Sequence, residues 1–151
     1  MRILNRMAPV KGVKIIKDQP TVVFLTVCAK DRGSWIGQES VHRMIVDTWS
    51  NATAWLVGEY LLMPDHLHIF CTPNSDDFSI EQWLIYWKRD FSRKRLNADW
   101  LWQRNAFHHR IRDQNQYKEK LEYVRKNPVR RGLVRAPEDW PHCGEINIIR
   151  W

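Results

Sequence analysis

The sequence predicts an α+β sandwich built on an antiparallel sheet. Three observations carry this prediction: strand-like apolar runs, helix-like spacing of apolar residues, and the order in which the two kinds of segment follow each other. The order is strand, helix, two strands, helix, strand and a final helix, which is typical of the ferredoxin-like kind of sandwich. No repeat or linker-like tract interrupts the chain, so we expect residues 1–151 to form a single domain.

The chain is expected to begin its fold with a strand and a helix. Thr21 to Cys28 (TVVFLTVC) is rich in β-branched and aromatic residues, which predicts a strand. Apolar residues then recur at helical spacing from Val41 to Leu56, with Trp55 among them, and predict one amphipathic helix. Gly58 interrupts this spacing, so the helix is expected to end before it.

A hairpin and a second helix follow. Two apolar runs, Tyr60 to Met63 and His66 to Thr72, flank a Pro-Asp turn, which is typical of a hairpin. Ser79 and Gln82 have the spacing of a capping box, in which each side chain binds the backbone N–H of the other at a helix start. The apolar stripe from Ile80 to Phe91 therefore predicts a helix that Ser79 caps.

The last third of the chain supplies one more strand and one more helix. The segment 100–112 has an ambiguous pattern, within which Phe107 to Arg112 is expected to form a strand. Gln114 to Lys126 carries a helical stripe. Pro128 is expected to stop this helix, because proline disfavours the α region for the residue before it.

Positive charge is concentrated in the second half of the chain. The chain has 24 Lys and Arg against 17 Asp and Glu, a net charge of +7. Residues 88–135 alone hold 15 basic against 5 acidic residues. Such a concentration suits a polyphosphate partner, through counterion release and electrostatic steering, and it is equally compatible with a solvated basic surface.

The composition excludes several other classes of protein. Hydrophobic residues make up 44% and charged residues 27%, as in ordinary globular chains, and no run approaches the roughly 18 apolar residues of a membrane span. The segment MRILNRMAPVKG also lacks the apolar run of a secretory signal. Cys28, Cys71 and Cys143 cannot all pair and form no CxxC motif, which argues against a disulfide framework or a cysteine zinc site. A reducing, cytoplasmic location is therefore expected.

Two histidines stand out in the segment MPDHLHIF, Met63 to Phe70. Alternate side chains of a strand share a face, so His66 and His68 project side by side while Leu67 and Ile69 take the opposite face. Two such imidazoles can bind one metal ion, or they can be half-exposed surface histidines. A zinc peptidase or deaminase is not indicated, because no HExxH or H-x-E motif is present.

The third predicted helix presents a tyrosine on its polar face. At about 100° per residue, Tyr117 belongs to the apolar stripe and is expected to pack, whereas Tyr123 lies roughly 120° away with Lys120 and Asn127. A tyrosine there can be a nucleophile if nearby cations ease the loss of its proton, or it can be a surface residue at a helix end. The carboxamide oxygen of Asn127 is a suitable ligand for Mg²⁺ or Mn²⁺.

Taken together, these segments resemble the HUH single-tyrosine transposases, and most closely the REP-associated tyrosine transposases, which act on hairpins of repetitive extragenic palindromes. The resemblance extends from about Val22 to Trp140. It rests on FLTVCAKDRGSW, LVGEYLLMPDHLHIF, WKRDFSRKR, WQRNAFHHRIR and YVRKNPVRRGLV. The most specific feature is MPDHLHIF followed about 50 residues later by YVRKNPVRRGL.

The resemblance implies a fold, a metal site and a reaction. The fold would be a ferredoxin-like antiparallel sheet with helices on one face and a C-terminal catalytic helix. His66 and His68 match the HUH motif and are implied to hold Mg²⁺ or Mn²⁺, with Asn127 as the third ligand. Tyr123 is implied to attack single-stranded DNA near a hairpin and to form a 5′-phosphotyrosine intermediate, so that cleavage and rejoining need no ATP. The REP-associated branch implies a monomer in preference to a homodimer, with no membrane partner.

Basic residues are the expected DNA contacts. Arg89 and Arg93 lie one turn apart on the second helix, opposite its core stripe, which suits adjacent phosphates. The other basic candidates are Arg110, Arg112, Lys120, Arg125, Arg130 and Arg131. Aromatic side chains often stack on the bases of single strands. The open candidates for that role are Trp100, Trp102 and Phe70, whereas the tryptophans expected in the core are Trp49, Trp55, Trp83 and Trp87.

Two other functions stay open at this point. A non-catalytic ferredoxin-like nucleic-acid-binding module would share the basic surface, but it would not need the histidine pair, Tyr123 and Asn127 together. A metal-dependent phosphodiesterase without a covalent intermediate would need the histidines but not the tyrosine.

Overall fold

The structure, a computed structural model, describes residues 21–151 and confirms the expected α+β sandwich. The N-terminal segment examined for a secretory signal lies outside the described residues. The first six elements follow the order β-α-β-β-α-β of the ferredoxin-like sandwich. They are β1 (Val22–Ala29), α1 (Glu39–Asn51), β2 (Trp55–Leu62), β3 (His66–Pro73), α2 (Ile80–Lys94) and β4 (Trp102–Ile111). The later elements are α3 (Gln114–Arg125), α4 (Asn127–Arg130) and β5 (Cys143–Glu145).

All five strands form one antiparallel sheet in the order β4-β1-β3-β2-β5. Strand β3 is therefore central, with β1 on one side and β2 on the other. The β1–β3 register places Thr26 opposite His68 and Cys28 opposite His66. Side chains directly opposite each other on antiparallel strands share a face, so this register decides which residues surround the histidines.

The face of the sheet under α1 and α2 carries the larger apolar core. Leu67, Ile69 and Cys71 of β3 are fully buried there. The four tryptophans expected in the core all belong to this cluster, which confirms their assignment; they are Trp49, Trp55, Trp83 and Trp87. One side of β3 is thus committed to packing, and its intervening residues must face the other way.

Helix α3 covers the opposite face through a smaller apolar cluster. Val124 of α3 is buried against Phe24, Leu61 and Phe70 of the sheet, and Tyr117 packs at the edge of the same cluster. The Tyr117 and Phe70 rings meet edge to face with their centroids 4.8 Å apart. Two helices on one face and the C-terminal helix on the other agree with the arrangement that the sequence predicted.

The sequence prediction was wrong about where the first helix ends. Helix α1 stops at Asn51, and Trp55 and Leu56 begin β2 instead of extending the helix. The backbone carbonyl of Ala52 accepts a hydrogen bond of 2.7 Å from the Trp83 indole N–H, which fixes the chain where it turns. Trp55 would be buried in the core whether it belonged to a helix or to a strand, so its apolar character did not distinguish the two structures.

Gly58 also has a different role from the one expected. It lies within β2, where the C-terminal segment crosses so closely that a Cβ atom would be 2.6 Å from Cδ1 of Ile149. Glycine at this position lets the Ile149 side chain lie close to β2, and it does not act as a helix breaker. Strand β4 is also longer than expected, since it begins at Trp102 and not at Phe107.

Other local signals hold as predicted. Ser79 and Gln82 form both hydrogen bonds of the capping box at the start of α2. The exception is the expected stop at Pro128: α3 ends earlier, at Arg125, and Asn127, the residue before the proline, is itself helical and begins the short α4 that contains Pro128. None of the helices in residues 21–151 is long and apolar enough to cross a membrane.

Candidate active site

His66 and His68 lie on the α3 side of the central strand. Because Leu67 and Ile69 fill the core under α1 and α2, the two imidazoles project together from the other face. Their ring centroids are 4.8 Å apart, and the rings stand nearly perpendicular to each other. His66 is buried and His68 is partly buried, so the pair is held by the fold and not by loop residues.

The carboxylate of Asp65 orients His66. Asp65 Oδ1 accepts a hydrogen bond of 2.7 Å from Nδ1 of His66, which leaves the Nε2 lone pair free to face outward. Two arginines hold the carboxylate in turn: Arg32 Nη2 lies 2.8 Å from Oδ2, and Arg131 Nη1 lies 3.8 Å from Oδ1. A carboxylate behind a histidine is the usual way in which proteins fix a metal-binding imidazole.

Arg32 reaches Asp65 from a turn of unusual backbone conformation. Asp31 and Arg32 have φ values of 54° and 56°, in the left-handed region that residues with a side chain seldom adopt. Such a conformation costs about 1–3 kcal/mol and persists only where the surroundings hold it. The turn therefore couples the end of β1 to the histidine pair through one ion pair.

His68 is fixed by neighbours on β1. Thr26 Oγ1 lies 2.9 Å from Nδ1 of His68 and can accept a hydrogen bond from Nδ1–H, which again leaves the Nε2 lone pair facing outward. The Phe24 ring stacks on the His68 ring at 5.1 Å with an interplanar angle of 23°. Both contacts follow from the β1–β3 register, which places Thr26 directly opposite His68.

The side chain of Asn127 lies next to both imidazoles. Its side-chain Nδ2 lies 3.4 Å from Nε2 of His66 and 3.5 Å from Nε2 of His68. A flip of the carboxamide places Oδ1 at the same position, so Asn127 can offer an oxygen toward the two imidazole nitrogens. With the carboxamide flipped, two nitrogen lone pairs and one amide oxygen would face one point, and these residues fit a divalent metal ion.

Burial and surrounding cations keep both imidazoles neutral. Burial, followed by the charges of His66, Lys120 and Arg130, lowers the pKa of His68 to about 3. Burial also lowers the pKa of His66, although the Asp65 carboxylate opposes this shift. For Asp65, burial alone would raise the pKa, but the hydrogen bonds from His66 and Arg32 outweigh it and hold the pKa low. Neutral imidazole is the form that binds a metal ion.

Tyr123 lies one helical turn before Asn127 and is exposed. Its side chain is 60% exposed, the guanidinium of Arg130 lies 3.8 Å from its ring centroid, and Lys120 Nζ lies 5.9 Å from it. Lys120 Nζ also lies 4.9 Å from the centroid of Phe24, the ring that stacks on His68. Tyr123 is thus on the same face as the histidines, with two cationic side chains beside its ring.

Tyr117 has the packing role that the sequence predicted. Its ring lies between Phe70 and Trp151, half-buried. Burial, followed by the charges of Glu59 and Glu145, raises the pKa of Tyr117 to about 12. Of the two tyrosines on α3, only Tyr123 is both exposed and surrounded by positive charge.

The predicted basic residues divide between the two faces of the molecule. Lys120, Arg130 and Arg131 stand beside the histidine pair and Tyr123 through the contacts given above. Arg125 is held by Glu59 at 3.1 Å next to β2. Arg112 is exposed, at the end of β4.

The remaining basic candidates lie in the α2 layer. Arg89 and Arg93 are exposed on α2, which packs on the opposite face of the sheet from the histidines, and Arg93 is paired with Asp90 at 3.1 Å. Strand alternation directs Arg110 toward the same layer, because His108 contacts Glu81 of α2 and His109 contacts Phe24. The fold does not bring these three arginines to the histidine pair.

The aromatic candidates for base stacking are not available on the surface. Phe70 is 1% exposed under Tyr117, Trp100 is buried, and Trp102 packs against Trp35 and Trp87 in the larger core. The interpretation of these rings as stacking platforms is therefore wrong.

Phe107 is an exposed aromatic residue that the sequence analysis did not name as a stacking candidate. It pairs with Thr26, shares the face of the histidines, and is 68% exposed. The signal in the sequence was an aromatic residue among polar neighbours in a predicted strand.

The chain is similar to curated transposases over part of its length. No family model matches the chain. A candidate REP-associated tyrosine transposase of Haemophilus influenzae is 29% identical over 96 residues, which cover 54% of this chain and 53% of that protein. The REP-associated tyrosine transposase of Escherichia coli K12 is 29% identical over 89 residues, 56% of this chain and 51% of that protein. The chain thus spans about half the length of the curated relatives that it matches.

Solved structures show the same fold. A REP-associated tyrosine transposase bound to a REP hairpin superposes with a TM-score of 0.71 and 21% identity, covering 95% of this chain and 82% of that one. A candidate transposase of Deinococcus radiodurans superposes with a TM-score of 0.53 and 15% identity, covering 70% of this chain and 89% of that one. These findings confirm the resemblance to REP-associated tyrosine transposases that the sequence motifs indicated.

Asp65→Asn is expected to weaken Mn²⁺ binding at the histidine pair by about 10–100-fold, because the substitution removes the charge that orients His66. Isothermal titration with Mn²⁺ measures the effect. Asp90→Asn is the matched control, since Asp90 likewise accepts from two basic residues, Arg93 and Lys94, but in the α2 layer. An Asp65→Asn variant that binds Mn²⁺ as tightly as the wild type would contradict this role.

Proposed function

We propose that this chain is a metal-dependent single-tyrosine DNA transposase or endonuclease, which cleaves and rejoins single-stranded DNA near hairpins. The observation that carries the proposal is the approach of Asn127 to Nε2 of both His66 and His68, with Tyr123 four residues earlier, near the end of α3. The names of the relatives support the class of reaction, and one solved relative is described as bound to a REP hairpin.

His66, His68 and Asn127 would hold Mg²⁺ or Mn²⁺. When bound there, the ion supplies Lewis-acid polarisation of the scissile phosphate and stabilises the leaving oxygen. Asp65 and Thr26 keep the two imidazoles in the orientation in which Nε2 faces the phosphate site. The cations around the pair, Arg131 and Lys120, add positive charge where the phosphate would lie.

Tyr123 would be the nucleophile. Its phenolic oxygen attacks the phosphorus, a bond from this oxygen to phosphorus forms, and the bond from phosphorus to the 3′ oxygen breaks. Lys120 and Arg130 stabilise the phenolate as the phenolic proton leaves, and the 3′ oxygen takes up a proton. One phosphodiester is exchanged for another, so the 5′-phosphotyrosine retains the energy for rejoining and no ATP is needed.

The DNA strand would cross the α3 side of the sheet. Lys120, Arg130 and Arg131 would contact phosphates, and the exposed Phe107 ring offers a platform for a base. Arg89, Arg93 and Arg110 would belong to a second contact surface in the α2 layer, reached by DNA that extends beyond the scissile strand. Arg112 and Arg125 complete the proposed set of DNA contacts.

Three further parts of the proposal rest on the sequence. We propose one domain over residues 1–151, a monomer in solution, and a reducing, cytoplasmic location. The described cysteines agree with the last point, because all three are free thiols and two of them are buried.

Tyr123→Phe is expected to abolish a covalent protein–DNA complex while DNA binding is retained, because only the attacking oxygen is lost. The experiment incubates the protein with Mn²⁺ and end-labelled single strands that contain a palindromic hairpin, and it detects the complex by denaturing electrophoresis. Tyr117→Phe is the matched control on the same helix and should leave the complex intact, since Tyr117 packs against Phe70.

Other outcomes of this experiment exclude the proposal in distinct ways. DNA binding without cleavage would favour a non-catalytic binding module. Cleavage without a covalent complex would indicate a phosphodiesterase that does not use Tyr123. A complex that maps to Tyr60 or Tyr86 by mass spectrometry would show that the nucleophile is wrong although the class of enzyme is right.

Replacing Lys120 and Arg130 by alanine is expected to weaken single-strand binding and to lower its salt slope by about one or two units, since each lost phosphate contact removes about one released counterion. Fluorescence anisotropy across a salt series measures the slope. The Arg89→Ala, Arg93→Ala double variant tests the α2 layer in the same way on a hairpin-bearing strand. An unchanged slope in that variant would exclude α2 from the DNA path, and an unchanged slope in the first would contradict the path proposed here.

A further inference from the structure

A second cluster of potential metal ligands lies away from the histidine pair. Glu39 and His42 come from the first turn of α1, and His142 comes from the segment that leads into β5. One ligand atom from each residue lies within 4.8 Å of the other two. A carboxylate and two imidazoles form the donor set of many zinc sites.

The spacing of the two imidazoles fits a shared ion. Nδ1 of His142 lies 3.3 Å from Nδ1 of His42. Tetrahedral Zn²⁺ with Zn–N bonds of about 2.0–2.1 Å holds its ligand nitrogens roughly 3.3 Å apart, the same separation. The rings are nearly perpendicular, at 77° with centroids 5.4 Å apart, so the two nitrogens face each other without the rings colliding.

Neighbouring groups orient the His42 ring and fix the backbone at His142. Nε2 of His42 lies 2.6 Å from the hydroxyl of Tyr60, which can accept its N–H and leave Nδ1 free for an ion. The backbone carbonyl of His142 accepts a hydrogen bond of 2.8 Å from Leu62 N–H, and the Trp140 indole donates to the carbonyl of Leu62 at 2.9 Å. These bonds fix the segment on β2, with His142 directed at α1.

Glu39 completes the set from an exposed position. Its carboxylate lies 3.5 Å from Arg43, and both side chains of that ion pair are exposed. Exposed pairs of this kind contribute little, so the carboxylate can turn to an ion at small cost. Because Glu39 is exposed, one coordination position would remain open to water.

This cluster is separate from the candidate active site. Tyr60 packs in the larger core under α1 and α2, whereas His66 and His68 lie on the α3 side of the sheet. We propose that Glu39, His42 and His142 form a second metal site, specific for Zn²⁺ or a similar imidazole-preferring ion, which joins the C-terminal segment to α1. A carboxylate together with two imidazoles is a donor set that suits Zn²⁺ better than Mg²⁺.

The consequence of the site is structural. The segment that carries His142 follows α3 and α4 and ends on the edge of β2 through the three-residue strand β5. An ion bound by His142 on one side and by Glu39 and His42 on the other would hold this segment against α1, in addition to the few hydrogen bonds of β5. Zn²⁺ should therefore raise the thermal stability of the folded chain.

The test measures Zn²⁺ stoichiometry and affinity by isothermal titration of the chelator-treated protein, with Co²⁺ absorption as a second probe of tetrahedral coordination. The wild type should bind a second equivalent of Zn²⁺ that His142→Ala loses, together with the part of the Zn²⁺-dependent rise in Tm that this site contributes. His108→Ala is the matched control, because His108 forms a histidine–carboxylate pair with Glu81 at 3.0 Å outside this cluster, and it should keep both equivalents.

Two further variants keep the test decisive. Glu39→Gln changes an exposed side chain, so the fold should survive, and it should weaken the second equivalent by about tenfold or more. His66→Ala with His68→Ala should lose the other equivalent and keep this one, so failure of the proposed DNA-cleaving site is distinguishable from failure of the second site. Zn²⁺ binding that is unchanged in both His142→Ala and Glu39→Gln would overturn the proposal and leave His42 and His142 as a hydrogen-bonded pair only.

Discussion

The commitment of one face of β3 to the apolar core is the constraint on which the rest of the site depends. Leu67, Ile69 and Cys71 are fully buried under α1 and α2, so the strand cannot slip by one residue without placing histidines in that core. His66 and His68 are thereby held on the other face. Helix α3 is anchored on the same face by Val124, and the turn that follows it brings Asn127 to the two imidazoles.

The electrostatic surroundings of the histidines favour binding of a phosphate anion and disfavour protonation of the imidazoles. Burial is the main cause that keeps both imidazoles neutral, and the positive charges of Lys120, Arg130 and Arg131 add to it. Asp65 sits behind His66 and is itself neutralised by Arg32, so it orients the ring without making the site negative. The same cations would stabilise both an incoming phosphodiester and a phenolate on Tyr123, so they would act in DNA binding and in the reaction.

Much of this could be predicted from the sequence, because the relevant signals are local. The alternation in MPDHLHIF, the Ser79 capping box and the separation of Tyr117 from Tyr123 are each properties of a short segment. Contacts that depend on register could not be predicted: Thr26 reaches His68 only because β1 and β3 pair as they do. The position of Trp55 in a strand could not be predicted, because over a short run a buried tryptophan fits the 3.6-residue period of a helix and the two-residue period of a strand equally well. Glu39 and His142 are separated by most of the chain, and nothing local to either residue indicates that they meet.

The central claim is that one divalent ion is held by His66, His68 and Asn127 beside Tyr123. The most direct measurement is anomalous diffraction at the manganese edge from crystals of the protein grown with Mn²⁺. Our account predicts an anomalous peak within bonding distance of Nε2 of both histidines, with the side-chain oxygen of Asn127 turned toward it. A peak confined to another part of the molecule, with Asn127 still presenting its nitrogen to the imidazoles, would contradict the account.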